Sequence, residues 1–310
     1  EAKLPLRYYG TYQIFTPERA KTAISEVKRY RSEYGGELLQ FNSVKLFMDG
    51  ISANQSASYI DPYEGNTAYV GATMLSVEEL RDLLLDLHEE KLDLLVHTIG
   101  GLAVRTVLDA VEAAQATVKD DFYPRVTMAH LALIDPVDLS RIEQLGVIAN
   151  FTPWWFGVDL DDVVEELLGD ERYSKMYPAK TVFDSGARVT FSSDEWWGGD
   201  MLATYLSPYL GMQVGHTRQY PKDWREIEDD KVRSPINERL SLEQLLEGYT
   251  QNGAYQLRLE DKLGSIETGK LADFVILNKN LFEADPYEIS ELKPSAVVME
   301  GKVIQGSFPE

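Results

Sequence analysis

Four side chains are placed where they could do chemistry: Lys45, His97, His130 and Asp194. His97 closes the run Leu92-Asp-Leu-Leu-Val-His97, and His130 closes Arg125-Val-Thr-Met-Ala-His130. Asp194 ends Arg188-Val-Thr-Phe-Ser-Ser-Asp194, where Val189 and Phe191 alternate with Thr190 and Ser192 as on a strand with unlike faces. Two imidazoles and a carboxylate at strand ends make a zinc-type donor set that leaves one position for water. Each residue also has a bland reading. A histidine ending a strand can be a buried structural group. An aspartate before a loop can cap a helix or close a turn. Lys45 shares its strand face with Phe47 and Asp49, so an ion pair with Asp49 competes with a functional role.

Such residues need a scaffold that brings strand ends together. Strand-like runs are expected at about 4–9, 44–48, 92–97, 125–130, 147–152 and 189–194, separated by helical patterns. Thr16-Pro17-Glu18 opens a helix, and Ser76-x-x-Glu79 is a capping box ahead of the stripe Leu80, Leu83, Leu84, Leu87. Another helix follows Gly100-Gly101, carrying Val104, Val107, Leu108 and Val111. Residues 51–74 read as a polar loop over the mouth of the fold, with a second loop of about forty residues after Asp194 that holds His216. Alternating strands and helices predict parallel pairing through right-handed crossovers, an α/β fold. The C-terminal ends of parallel barrel strands are where α/β barrels gather catalytic groups. After Gly264 the texture changes. Leu271–Leu277 and Ser295–Ile304 read as antiparallel strands, the latter turning at Glu300-Gly-Lys302.

Bulk composition narrows the partners. The 310 residues carry a net charge of −21, which repels nucleic acid and anionic membranes, so neither is expected as a partner. No cysteine is present, which excludes disulfides and thiolate chemistry. No apolar run reaches the roughly 20 residues of a membrane span. No signal peptide is visible and a cytoplasmic location is expected, although a chain opening on Glu1 rather than Met reads as processed or as a fragment.

Taken in order, Val44-Lys-Leu-Phe-Met-Asp-Gly50, His97-Thr-Ile-Gly100, Ala129-His130, Ser192-Ser-Asp194 and Gly264-Ser-Ile-Glu-Thr-Gly-Lys-Leu-Ala-Asp-Phe-Val-Ile-Leu277 resemble the amidohydrolase superfamily, in its YtcJ-like branch of metal-dependent amide hydrolases. The resemblance runs over nearly the whole chain. It implies a (β/α)8 TIM-type barrel with about six of its eight strands present, strands three to eight, over residues 1–262. Residues 263–310 would then be the C-terminal part of a small β-sandwich appendage. Residue by residue, it makes His97 and His130 the metal-binding histidines of the fifth and sixth strands. Asp194 becomes the eighth-strand aspartate that binds metal and takes a proton from the attacking water. Lys45 becomes a fourth-strand lysine that bridges two metals in some members, a role that requires carbamylation because an ammonium is no ligand. Two departures accompany the likeness: no His-x-His pair is present, and Gly101 stands where relatives usually carry aspartate.

The resemblance implies a hydrolase of amide-type C–N bonds, of the N-acyl or N-formyl amine class, acting on a small-molecule amide. Its cofactor would be a divalent metal, most readily zinc, as one or two ions. Trp154, Trp155, Trp196 and Trp197, with Phe156, read either as the wall of an apolar acyl or aryl pocket or as anchors of long loops. Two other readings stand beside this one: a truncated or degenerate, non-catalytic chain that binds metal poorly, and a metal-free barrel using paired carboxylates, such as a glycosidase. An arc of six strands leaves two open edges, so a homo-oligomer or a preceding segment that closes the barrel is expected, with little activity in these residues by themselves.

Overall fold

The structure, a computed structural model, describes residues 6–66, 68–157, 163–194, 202–221 and 231–309. The chain divides into two compact units. One comprises Glu1–Ala149, Val163–Met176 and Ser185–Ala187; the other comprises Asn150–Asp162, Tyr177–Asp184 and Arg188–Glu310.

The fold is α/β. Its main sheet has six strands in chain order: β1 (Tyr8–Ile14), β2 (Leu39–Phe47), β3 (Asp93–Thr98), β4 (Val126–His130), β5 (Ile148–Phe151) and β6 (Val189–Phe191). β1–β2, β2–β3 and β3–β4 pair in parallel, as the strand–helix alternation requires. Residues 4 and 5 of the first strand, expected at 4–9, lie outside the described residues; the described strand starts at Tyr8 and runs on to Ile14. Its pairing with β2 fixes it, running from Tyr8 opposite Leu39 to Ile14 opposite Leu46, with a register shift between Gly10 and Thr11. β2 likewise begins five residues ahead of the expected 44, because its pairing with β1 reaches back through Phe41 and Gln40 to Leu39, and the polar Gln40 and Asn42 hide the strand in sequence.

Within the first unit, α1 (Ala23–Tyr34), α2 (Val77–Glu89) and α3 (Gly101–Val118) cover the strands. Ser76 and Glu79 form both bonds of the capping box, satisfying orphan amides at the start of α2. Leu80, Leu84 and Leu87 are fully buried, Leu83 nearly so. Val104, Val107, Leu108 and Val111 of α3 are buried in the same unit. Among the described residues, no helix is long and apolar enough to cross a membrane.

In the second unit, α4 (Pro208–Thr217) and α5 (Leu242–Tyr249) follow β6. His216, expected in a loop, lies in the last turn of α4, and its Nδ1 is 2.7 Å from the Leu240 carbonyl oxygen. Among the described residues, the expected β-sandwich appendage is a three-stranded antiparallel sheet: β7 (Phe274–Leu277), β8 (Pro294–Met299) and β9 (Lys302–Gly306). The turn falls at Glu300 and Gly301, both at positive φ (52° and 74°), the pair a tight hairpin demands.

Candidate functional site

Parallel register decides which side chains share a face. Lys45 lies opposite Leu95, and Phe47 opposite His97. Lys45, Phe47 and His97 therefore project from one side of the sheet, since alternate residues of a strand do. The Phe47 ring stacks on the His97 ring with centroids 5.3 Å apart, and Lys45 Nζ sits 5.4 Å from the centre of Phe47.

His130 reaches this face by breaking the strand rule. β4 pairs Ala129 with His97 and His130 with Thr98, so a continued strand would send the His130 ring to the opposite face. Instead His130 has φ 80° and Leu131 φ 50°. The left-handed step turns the ring back, and the two imidazoles meet edge-on at 4.5 Å between centroids. Non-glycine residues held there cost on the order of 1–3 kcal/mol each, and such strain concentrates at functional sites.

Both imidazoles are buried, His97 7% and His130 3% exposed. Burial, helped by the positive charge of Lys45, lowers the His97 pKa to about 4. Burial, then His97 and Lys45, holds His130 well below the usual imidazole range. At neutral pH both rings are therefore uncharged, the form that binds metal. His97 Nε2 is 3.0 Å from the Gly50 carbonyl oxygen. A carbonyl oxygen only accepts, so the contact assigns the proton to Nε2 and leaves a lone pair on Nδ1. Metal-binding histidines characteristically give their second ring proton to a carbonyl or carboxylate. The donor chemistry of this pair thus fits a divalent cation. Among the described residues, no three His, Cys, Asp or Glu side chains gather closely enough to hold a metal, so the pair needs further donors.

Asp49, weighed in the sequence only as a partner for Lys45, has another place. Its carboxylate accepts the backbone N–H groups of Ser58, Ile99 and Gly100, each at 2.9 Å. Burial raises its pKa to about 6 against those three bonds. Gly100 is required there, because a Cβ on it would lie 1.9 Å from the Ser58 carbonyl oxygen. Gly101 is different: an added Cβ would find its first neighbour, Ile60 Cδ1, at 3.6 Å, an ordinary contact. A cleft of ≈ 610 Å³ in the same unit is lined by the loops after β2, β3 and β4, including Tyr59, Gly101 and Asp135, and by residues 168–172 and 175.

Asp194 belongs to the second unit, as do Trp154 and Trp155. It too is at positive φ, 48°, with its side chain exposed. Behind it Ser192 Oγ donates to Asn150 Oδ1 at 2.7 Å, and Asn150 Nδ2 donates to Thr190 Oγ1 at 2.9 Å. Trp154 Nε1 donates to the Ser193 carbonyl at 2.6 Å, and its ring lies 5.0 Å from Tyr205 and 5.9 Å from Trp155. Trp154 thus anchors the loop that carries Asp194. Asn150, buried in β5, is not singled out in the sequence; a polar residue in an apolar run is the one signal that could have disclosed it. Trp196 and Trp197 lie outside the described residues.

A family model described as an amidohydrolase family matches residues 1–305. The chain belongs to the amidohydrolase superfamily, on its YtcJ-like side. Its relatives include the amidohydrolase YtcJ of Bacillus subtilis, 24% identical over 87% of this chain and 48% of that protein. N-substituted formamide deformylase of Arthrobacter pascens is 26% identical over 85% of this chain and 45% of its own length. Among solved structures, an uncharacterised metal-dependent hydrolase of Pyrococcus furiosus superposes with a TM-score of 0.65 at 25% identity, covering 86% of this chain and 49% of the other. The chain therefore spans about half the length of the relatives it matches.

Proposed function

We propose that this chain carries part of the active centre of a metal-dependent hydrolase acting on amide-type C–N bonds, of the N-acyl or N-formyl amine class. The observation that carries the reading is the meeting of two neutral, buried imidazoles at the ends of neighbouring parallel strands. Membership of the amidohydrolase superfamily supports hydrolysis, and likeness to a formamide deformylase supports the C–N bond and the N-formyl class. The sheet is read as part of a TIM-type barrel over residues 1–262, with the antiparallel sheet as a separate C-terminal layer.

His97 through Nδ1, His130, Asp194 and a carbamylated Lys45 are the proposed ligands of a divalent ion, zinc by preference. When bound, that ion supplies Lewis-acid polarisation of the carbonyl and acidifies water. The chain's own residues do the rest. His97 and His130 offer lone pairs because burial keeps them unprotonated. The Asp194 carboxylate takes a proton from the attacking water and passes it to the leaving nitrogen. Trp154 holds the loop before Asp194 in place. The test is hydrolysis of a panel of N-formyl and N-acyl amines by the protein as its source makes it, before and after chelation and zinc return. Activity lost on chelation and restored by zinc is expected; turnover indifferent to chelators refutes the reading.

A further inference from the structure

We propose that Asp49 is a positioning residue that fixes the orientation and tautomer of His97 through the carbonyl of Gly50. Its consequence for metal affinity rests on the function proposed above; the positioning itself does not. The Asp49 carboxylate is fully buried and grips two segments distant in sequence: Ser58 in the loop after β2, and Ile99 and Gly100 at the turn from β3 into α3. It does not touch His97 by a hydrogen bond, since Oδ1 and Nε2 are 3.9 Å apart. The peptide that follows makes the link. Gly50 N donates to the Ser56 carbonyl at 3.0 Å, and the Gly50 carbonyl receives His97 Nε2 at 3.0 Å.

Behind Asp49, Met48 N donates to the His97 carbonyl at 3.1 Å and Met74 N to the Met48 carbonyl at 2.7 Å. The strand end is therefore tied on both sides of the peptide whose carbonyl meets His97. A side chain at Gly50 would collide with Ser56, its Cβ lying 2.0 Å from Oγ. Only with that carbonyl in place is the proton held on Nε2 and the lone pair presented by Nδ1. A carboxylate can accept all three amides. An asparagine cannot, because its NH2 group would face at least one donor.

The test uses the full chain, metal-free and labelled with 15N-histidine. Ring-nitrogen shifts report the His97 tautomer, which a merely structural staple would leave unchanged. The wild type is expected to show His97 as the single Nε2–H form, and Asp49→Asn a mixture of tautomers. Asp49→Ser, which keeps one acceptor oxygen, is the second variant should the first not fold, with the same expectation. Asp93→Asn is the control: Asp93 is a buried acid at the far end of β3 whose Oδ1 accepts the Arg125 amide at 2.8 Å, and its loss should leave the tautomer alone. Zinc affinity should fall about 10–100-fold in Asp49→Asn and stay near wild type in Asp93→Asn. A wild-type His97 protonated on Nδ1, or a variant at Asp49 that keeps the single Nε2–H form, overturns the proposal. Absence of zinc binding in every variant would count against the proposed function and leave the tautomer result standing.

Discussion

The rings of His97 and His130 meet at 4.5 Å although strand register assigns the two residues to opposite faces. The left-handed backbone at His130 resolves the conflict, and it carries a measurable signature. His130→Gly and His130→Ala lose the same ring, but only glycine is at ease at φ 80°. The glycine variant should be the more stable of the two by about 1 kcal/mol, the reverse of their order in ordinary structure. Urea unfolding of the pair decides it; an alanine variant that is equal or better would show that the backbone step is not strained.

A second backbone prediction concerns Gly101. It opens the 18-residue helix α3 with an ordinary negative φ and room for a Cβ. Gly101→Ala should stabilise the chain by about 0.5–1 kcal/mol through the unfolded state. A lower melting temperature would mean that the cleft around Tyr59 and Asp135 is tighter than these contacts indicate.

Much of the scaffold can be read from pattern because local chemistry settles it. The capping box at Ser76, the leucine stripe of α2 and the Glu300–Gly301 turn need no distant partner, and each stands where the sequence places it. What escaped depends on long-range contact. β2 starts at Leu39 because β1 reaches it, across a register shift that leaves Asn42 out of the ladder. His216 is helical although glycines interrupt its segment. Gly211 and Gly215 are there for close approach, a Cβ on the first lying 2.1 Å from Tyr249 Oη. His97 and His130 are visible in the sequence as residues closing strands, and Lys45 as a polar residue on a strand face. The work of Asp49 is not, because two of its three amide partners lie 50 and 51 residues away.

Acid should destabilise the metal-free chain through the imidazoles. His97 binds its proton only near pH 4 when folded, and His130 is also held well below 6.5, whereas both take it up near 6.5 when unfolded. The unfolded state then binds more protons, so stability falls as pH drops from about 6.5 to 4. Asp49 acts in the opposite sense. Folded, it protonates near 6 rather than 3.8, which adds stability as pH falls through that window. Two histidines against one carboxylate leave a net loss of up to about 1.4 kcal/mol per pH unit, one proton's worth. Replacing His97 and His130 together by Gln should flatten or invert the slope; an unchanged slope would show that the rings are not desolvated as described.

Lys45 gives a chemical test. Its ammonium opposes a cation beside the imidazoles, whereas a carbamate would attract one. Bicarbonate should therefore tighten metal binding by the wild type and have no effect on Lys45→Arg, which keeps the charge but cannot be carbamylated. Calorimetric titration with and without bicarbonate decides it, and equal gains in both proteins would remove Lys45 from the ligand set.

The central claim is that His97 and His130 hold one metal together. The most direct measurement is zinc content and affinity of the protein as its source makes it, compared with His97→Ala, His130→Ala and the double variant, with folding checked by circular dichroism. Ligands of a shared ion are not additive. Each single variant should lose most of the affinity, and the double variant should lose little more. Independent, additive losses, or wild-type zinc binding in either single variant, would contradict the account.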